Sequence, residues 1–123
     1  MSPAALLWIA LGGAIGSVLR ALAGAALEGS RFPWATLLVN VTGSLVIGWT
    51  MARLGGLEPA PAARMQALVV VGFCGGFTTF STFSWQTLDR MLHGQWGAAL
   101  ANVLLSVALC LAATWIGLRL GKA

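Results

Sequence analysis

Acid is what this chain has least of. Glu28, Glu58 and Asp89 are its only carboxylates in 123 residues, and none sits at the centre of an apolar segment. A proton-coupled transporter needs an ionisable relay inside the membrane, so proton coupling has no carrier here. Paired carboxylates, a Ser/His/Asp set and a metal-ligand cluster are missing as well, and catalysis is not expected. The single histidine, His93, stands among loop residues beside Asp89, Arg90 and Gly94 and reads as solvated. The two cysteines, Cys74 and Cys110, lie in apolar stretches without a CxxC neighbour. They exclude a disulfide framework and a redox motif and read as small packing residues. No basic region precedes the first apolar stretch, so a cleaved signal peptide is not expected.

Charge of either sign is scarce, at 8% of residues against 59% hydrophobic and a mean hydropathy of +0.88. A soluble domain carries about 25% charged residues. Each membrane crossing takes about 20 apolar residues, so four crossings nearly exhaust the chain. The pI near 10.6 does not signal nucleic acid, because the seven Lys and Arg residues are scattered and form no basic face. The composition thus predicts an all-α membrane protein, one four-helix transmembrane domain with segments at about 3–26, 33–52, 63–88 and 95–120.

The first segment places Gly12, Gly16 and Arg20 four apart, hence on one helix face. Its GxxxG pair lets another helix come close. Arg20 lies two turns inside the segment's end. It either snorkels to the interface or serves as a buried or vestibule arginine that draws anions or fixes a broken helix. Pro33 opens the second segment at a favoured first-turn position. Within that segment, Asn40 either glues helices through its amide or turns its N–H donors towards a polar path. The stretch from Ala52 to Ala63 reads as a polar loop. Asn102 and Ser106 share a face of the fourth segment.

The third segment is the unusual one. Gly72, Gly75 and Gly76 fall within five residues, and Thr78, Thr79, Ser81, Thr82 and Ser84 follow within seven. Each interior glycine costs roughly 0.5–1 kcal/mol relative to alanine, so the helix is expected to break at Gly75-Gly76. In lipid such a break is tolerated only where the backbone is buried or lines a polar cavity. Carbonyls freed there suit a cation. The neutral donors Ser81, Thr82, Ser84, Asn40 and Ser106 suit a small hydrated anion, which they desolvate without trapping it. Phe80 and Phe83 are three apart and share a face. They either pack as ordinary aromatics or offer the positive edges of their rings to an anion.

Orientation is nearly undecided. The end with both termini and the second loop carries Arg53, Arg64, Arg119 and Lys122, against Arg31, Arg90 and the inward Arg20 at the other. Four against three is a weak bias, and such a chain could insert both ways and pair with an opposite copy.

Three stretches carry a resemblance to a known family: Gly12-Gly13-Ala14-Ile15-Gly16-Ser17-Val18-Leu19-Arg20, Thr36-Leu37-Leu38-Val39-Asn40-Val41-Thr42-Gly43, and above all Gly72 to Ser84. The chain resembles the small fluoride channels of the Fluc/CrcB type over essentially its whole length. The resemblance implies an antiparallel, dual-topology homodimer in the cell membrane (inner or plasma membrane), with its lipid, fluoride and a second copy as partners. It implies a structural sodium ion on the backbone carbonyls of Gly75 and Thr78 of both subunits. Phe80, Phe83 and Asn40 would line the pore with Ser81, Thr82 and Ser106, and Arg20 would match the family's first-helix arginine. Gln86 departs from the glutamate expected in many relatives. Passive fluoride export is the leading expectation. A small multidrug-type, proton-coupled cation exporter is the alternative, disfavoured by the missing first-segment carboxylate. A non-conducting assembly subunit is a third.

Overall fold

The computed structural model describes residues 1–123, and every regular element in it is helical. Helix α1 spans Pro3–Ala26 and α2 spans Trp34–Leu54. The third crossing is composite. It begins with α3, Pro59–Met65, continues as a π-helix over Gln66–Cys74, and returns to one helical turn, α4, at Gly75–Phe77. After two non-helical residues it resumes as α5, Phe80–Leu92, and α6 follows over Trp96–Lys122. Four helical stretches are therefore long and apolar enough to cross a membrane: Pro3–Ala26, Trp34–Leu54, Pro59–Leu92 and Trp96–Lys122. The third is bent rather than straight.

Helix ends follow local chemistry. Ser2 caps α1 by accepting from the Ala5 N–H at 3.2 Å, with Pro3 behind it at the first helical position. At the far end of α5, Gly94 adopts φ 73°. Its N–H bonds to the Met91 carbonyl at 3.0 Å, and the Gln95 N–H bonds to that of Arg90 at 2.7 Å. This double closure needs a left-handed residue and lets α6 start two residues later. The polar reading of Ala52 to Ala63 is too long. Glu58 precedes α3, and Pro59 and Pro61 lie within its opening turns, where a missing N–H costs nothing.

Two glycine-closed pairs make up the bundle. Helix α1 packs along the π-helix and α4, and α2 packs along α6. In the first pair the approach is backbone to backbone. A methyl at Gly12 would strike the Leu68 carbonyl, one at Gly16 the Phe73 carbonyl, and one at Gly76 the Gly13 carbonyl. Gly72 and Gly76 thus answer Gly12 and Gly16, and the helices meet without intervening side chains. In the second pair Gly48 faces the Thr114 carbonyl, Gly117 the Leu45 carbonyl and Gly121 the Trp49 carbonyl. Membrane helices lack a hydrophobic drive to associate, so such contact is a main source of their cohesion.

A Gly117→Ala variant is expected to force α2 and α6 apart and cost about 1–3 kcal/mol, seen as a lower melting temperature in detergent. Gly97→Ala is the control. Nothing lies within 4 Å of the added methyl, and the variant should gain up to about 1 kcal/mol.

Candidate functional site

The chain leaves the helical conformation at Thr78 and Thr79, not at the glycines. Gly75 is helical, with φ −62° and ψ −38°. Thr78 has φ −84°, ψ 161°, and Thr79 φ −153°, ψ 112°. The expected break at Gly75-Gly76 is therefore displaced by three residues, for a physical reason. Gly72 and Gly76 are used for close approach to α1, where they stay helical. The break instead falls where two β-branched residues, at home in extended backbone, meet side chains that replace the lost helical bonds.

Those side chains come from α1 and α2. Asn40 pairs with the backbone of Thr79 at both ends. Its Nδ2 donates to the Thr79 carbonyl at 3.1 Å, and the Thr79 N–H donates to Oδ1 at 2.8 Å. Arg20 donates from Nη1 to the Thr78 carbonyl at 3.0 Å. In an uninterrupted helix the Thr79 N–H would serve the Gly75 carbonyl; here it is turned to Asn40. Cys74 absorbs the last turn, its carbonyl accepting both the Thr78 N–H at 2.9 Å and the Thr78 hydroxyl at 2.7 Å. Thr79 then caps α5, accepting the Thr82 N–H at 3.2 Å. Its hydroxyl also lies 3.0 Å from the Thr82 hydroxyl and 3.3 Å from that of Ser81.

Two cavities flank this break. A groove of about 430 Å³ runs beside it, lined by Asn40, Thr78, Thr79, Phe80, Phe83 and Ser106 together with Gly43, Ser44, Ile47, Cys74, Val107, Cys110 and Leu111. No lining side chain carries a charge. The Phe80 and Phe83 rings stand 5.4 Å apart, inclined at 42°, and Phe80 is 78% exposed. Gly43 is also required for closeness, since a methyl there would meet the Thr78 methyl group. The second cavity, about 490 Å³, opens towards the α1–α2 loop. Arg20, Glu28, Thr36, Thr82, Gln86 and Arg90 are among its walls. Thr79 lines both. A cavity walled by two arginines and one glutamate thus lies on one side of Thr79 and an uncharged groove on the other; net positive walls attract anions, and neutral dipoles hold them weakly.

Of the residues singled out in the sequence, Asn40, Thr78, Phe80, Phe83 and Ser106 come together in the groove, and Arg20 and Thr82 in the second cavity. Ser81 lines neither and is exposed. Gly75 is exposed too, with open space where its Cβ would lie. Ser84 spends its hydroxyl on the Phe80 carbonyl, 2.9 Å away. Asn102, 1% exposed, donates to the Thr87 hydroxyl at 2.9 Å and joins α6 to α5. Its Oδ1, with Gln86 Oε1 and Arg90 Nε, is buried without a partner. Sequence reasoning missed Thr79 and Arg90. The signal for Thr79 was present, a threonine three residues ahead of the N–H it caps. Arg90 read as a loop residue because α5 was expected to end near residue 88.

The chain matches the model of the family described as CrcB-like protein, Camphor Resistance (CrcB), over residues 7–118. It is 50% identical over 120 residues to a fluoride-specific ion channel FluC of Opitutus terrae, covering 90% of this chain and 87% of that one. A protein of the same name from Geobacter sulfurreducens is 48% identical over 121 residues, covering 95% and 96%. One from Magnetococcus marinus is 46% identical over 118 residues, covering 94% and 95%. Four crossing-competent helices and channel relatives of nearly equal length mark a multi-pass membrane protein.

Proposed function

The chain belongs to the CrcB family, and on that premise we propose that it is a fluoride-selective channel that lets fluoride leave the cell passively. The observation that carries the reading is the uncharged groove at the break, rimmed by two phenyl rings, an amide and hydroxyls. Neutral donors replace part of an anion's water without the deep well that a fixed cation creates, and the ion leaves as readily as it enters. The Asn40 Nδ2 spends one N–H on Thr79 and keeps a second. Arg20 and Arg90 concentrate anions at the mouth. Export needs no coupling, since a negative interior drives the anion out through any selective path.

The working unit in this proposal is an antiparallel homodimer of dual topology, because one protomer leaves the groove open on its side. A sodium ion fits the residues at the break. Backbone oxygens are its preferred ligand type, and the Gly75 carbonyl loses its usual donor to Asn40. The Thr78 carbonyl has two lone pairs, one taken by Arg20. Two oxygens from one chain leave a hard cation's shell incomplete, so a second copy supplies the matching pair. Bound there, sodium would neutralise facing carbonyls and fasten the two chains.

Efflux from liposomes holding purified protein tests the function. Fluoride is expected to leave on imposing a voltage while chloride is retained. Proton-linked cation uptake would point to an exporter, and absence of any flux to a non-conducting subunit; either result overturns the proposal.

A further inference from the structure

Asn102 lines neither the groove nor the second cavity. It is 1% exposed and sits in the contact between α5 and α6. Only residues 93–95 connect these helices, a link so short that they run antiparallel as neighbours. Helix α5 packs chiefly against α6. Phe83 and Thr87 lie four apart on α5, and Asn102 and Ser106 four apart on α6. Residues so spaced share a helix face. Thr87 meets Asn102, and Phe83 and Ser106 line the same groove. The helix pair thus carries two rungs about 6 Å apart along the axis. One is polar and buried, and the other faces the groove.

Hydrogen bonds link the buried rung to the other. Asn102 Nδ2 donates to the Thr87 hydroxyl at 2.9 Å, and that hydroxyl donates to the Phe83 carbonyl at 2.8 Å. A hydroxyl has one hydrogen to give and lone pairs to receive, so both bonds are made at once. Successive bonds in a dry interior polarise one another, and Thr87 is only 7% exposed. No other side-chain hydrogen bond joins α5 to α6. The Asn102 Oδ1, by contrast, is buried without a partner. An orphaned acceptor costs stability. Leucine, with a similar branched outline, would fill the contact without one and would leave the Thr87 hydroxyl still bonded to Phe83. Asn102 is thus a poor choice for cohesion alone.

We infer that Asn102 is a positioning residue for ion selectivity, a role that rests on the fluoride-channel reading. Through Thr87 it fixes the turn of α5 that carries Phe83, and with it the width of the groove between Phe83 and Ser106. Neutral dipoles and a constriction discriminate between ions only while they are held in place. With the tether cut, the Phe83 turn shifts against α6, and a groove of variable width admits chloride as well as fluoride. Asn102 touches no ion. It acts through the Thr87 hydroxyl and the Phe83 backbone.

Fluoride and chloride efflux from liposomes, measured beside melting in detergent, tests this with Asn102→Leu, Thr87→Val and Thr87→Ser. The fluoride-over-chloride ratio of initial rates is expected to fall about tenfold in Asn102→Leu, the worth of one hydrogen bond. It should fall as far in Thr87→Val, which keeps the shape of threonine and loses the hydroxyl. Thr87→Ser retains the hydroxyl and should keep the wild-type ratio. Asn102→Leu should melt no lower than the wild-type protein. A wild-type ratio in Asn102→Leu or Thr87→Val overturns the inference. So does a melting temperature that falls in step with the ratio, which makes Asn102 a contact that only holds the fold. A Thr87→Ser protein as unselective as Thr87→Val overturns it too, since the hydroxyl would then carry nothing. Wild-type protein that passes no fluoride overturns the channel reading itself, and that failure shows before any substitution is made.

Discussion

Replacing Asn40 with leucine is expected to abolish fluoride flux and to destabilise the protein by about 2–6 kcal/mol. Asn40 holds two backbone groups at once. Its amide satisfies both the N–H and the carbonyl of Thr79, a residue only 7% exposed. Removing a partner from a buried polar group costs about 1–3 kcal/mol, and two groups are orphaned at once. Leucine offers no polar atom to replace the amide. The backbone would have to re-form a continuous helix, which moves Phe80 and Phe83 out of register with the groove. Flux assays in liposomes and melting in detergent measure the two effects. Leu38, two residues away and 52% exposed to the surroundings, is the control, and Leu38→Ala should change little. An Asn40→Leu protein with normal melting and normal flux would remove Asn40 from the site.

The second large effect concerns the rings. Phe80→Ile and Phe83→Ile are each expected to reduce fluoride flux to the level of protein-free vesicles while the fold survives. Isoleucine keeps an apolar side chain of moderate size, so packing changes little. Phe80 in particular is 78% exposed in the protomer and contributes little to its core. What isoleucine lacks is the positive ring edge. Flux at wild-type rates through both variants would show that the rings only pack. A loss of flux with an unchanged melting temperature assigns them to the path.

Much of this was legible in the sequence because lipid narrows the choices. With so few charges in the apolar segments, four crossings were the only way to place 123 residues, and hydroxyls after glycines announced an interruption. The exact turn was not legible. Glycine serves two purposes in a membrane helix, freedom of backbone and closeness of approach. Composition cannot tell them apart: Gly72 and Gly76 proved to be contact residues, and the break fell on Thr78 and Thr79. Those threonines are held extended by Asn40 and Arg20, 39 and 58 residues away, and single-segment reasoning does not see such partners. The π-helix over Gln66–Cys74 had no signal in residue type. Asn40 was open between gluing helices and facing a polar path. It does the first, and its position in the groove leaves the second donor for the other role.

The bundle is two stiff leaves, α1 with the π-helix and α4, and α2 with α6, each shut by glycine. Polar latches tie the second leaf to the segment that continues from the first, Asn40 to Thr79 at the break and, further along, Asn102 to Thr87 on α5. A latch of this kind is firm when dry and weak when wet, since water competes for the same donors. Moisture entering the seam therefore loosens the leaves that would otherwise exclude it, and a drying seam draws them shut.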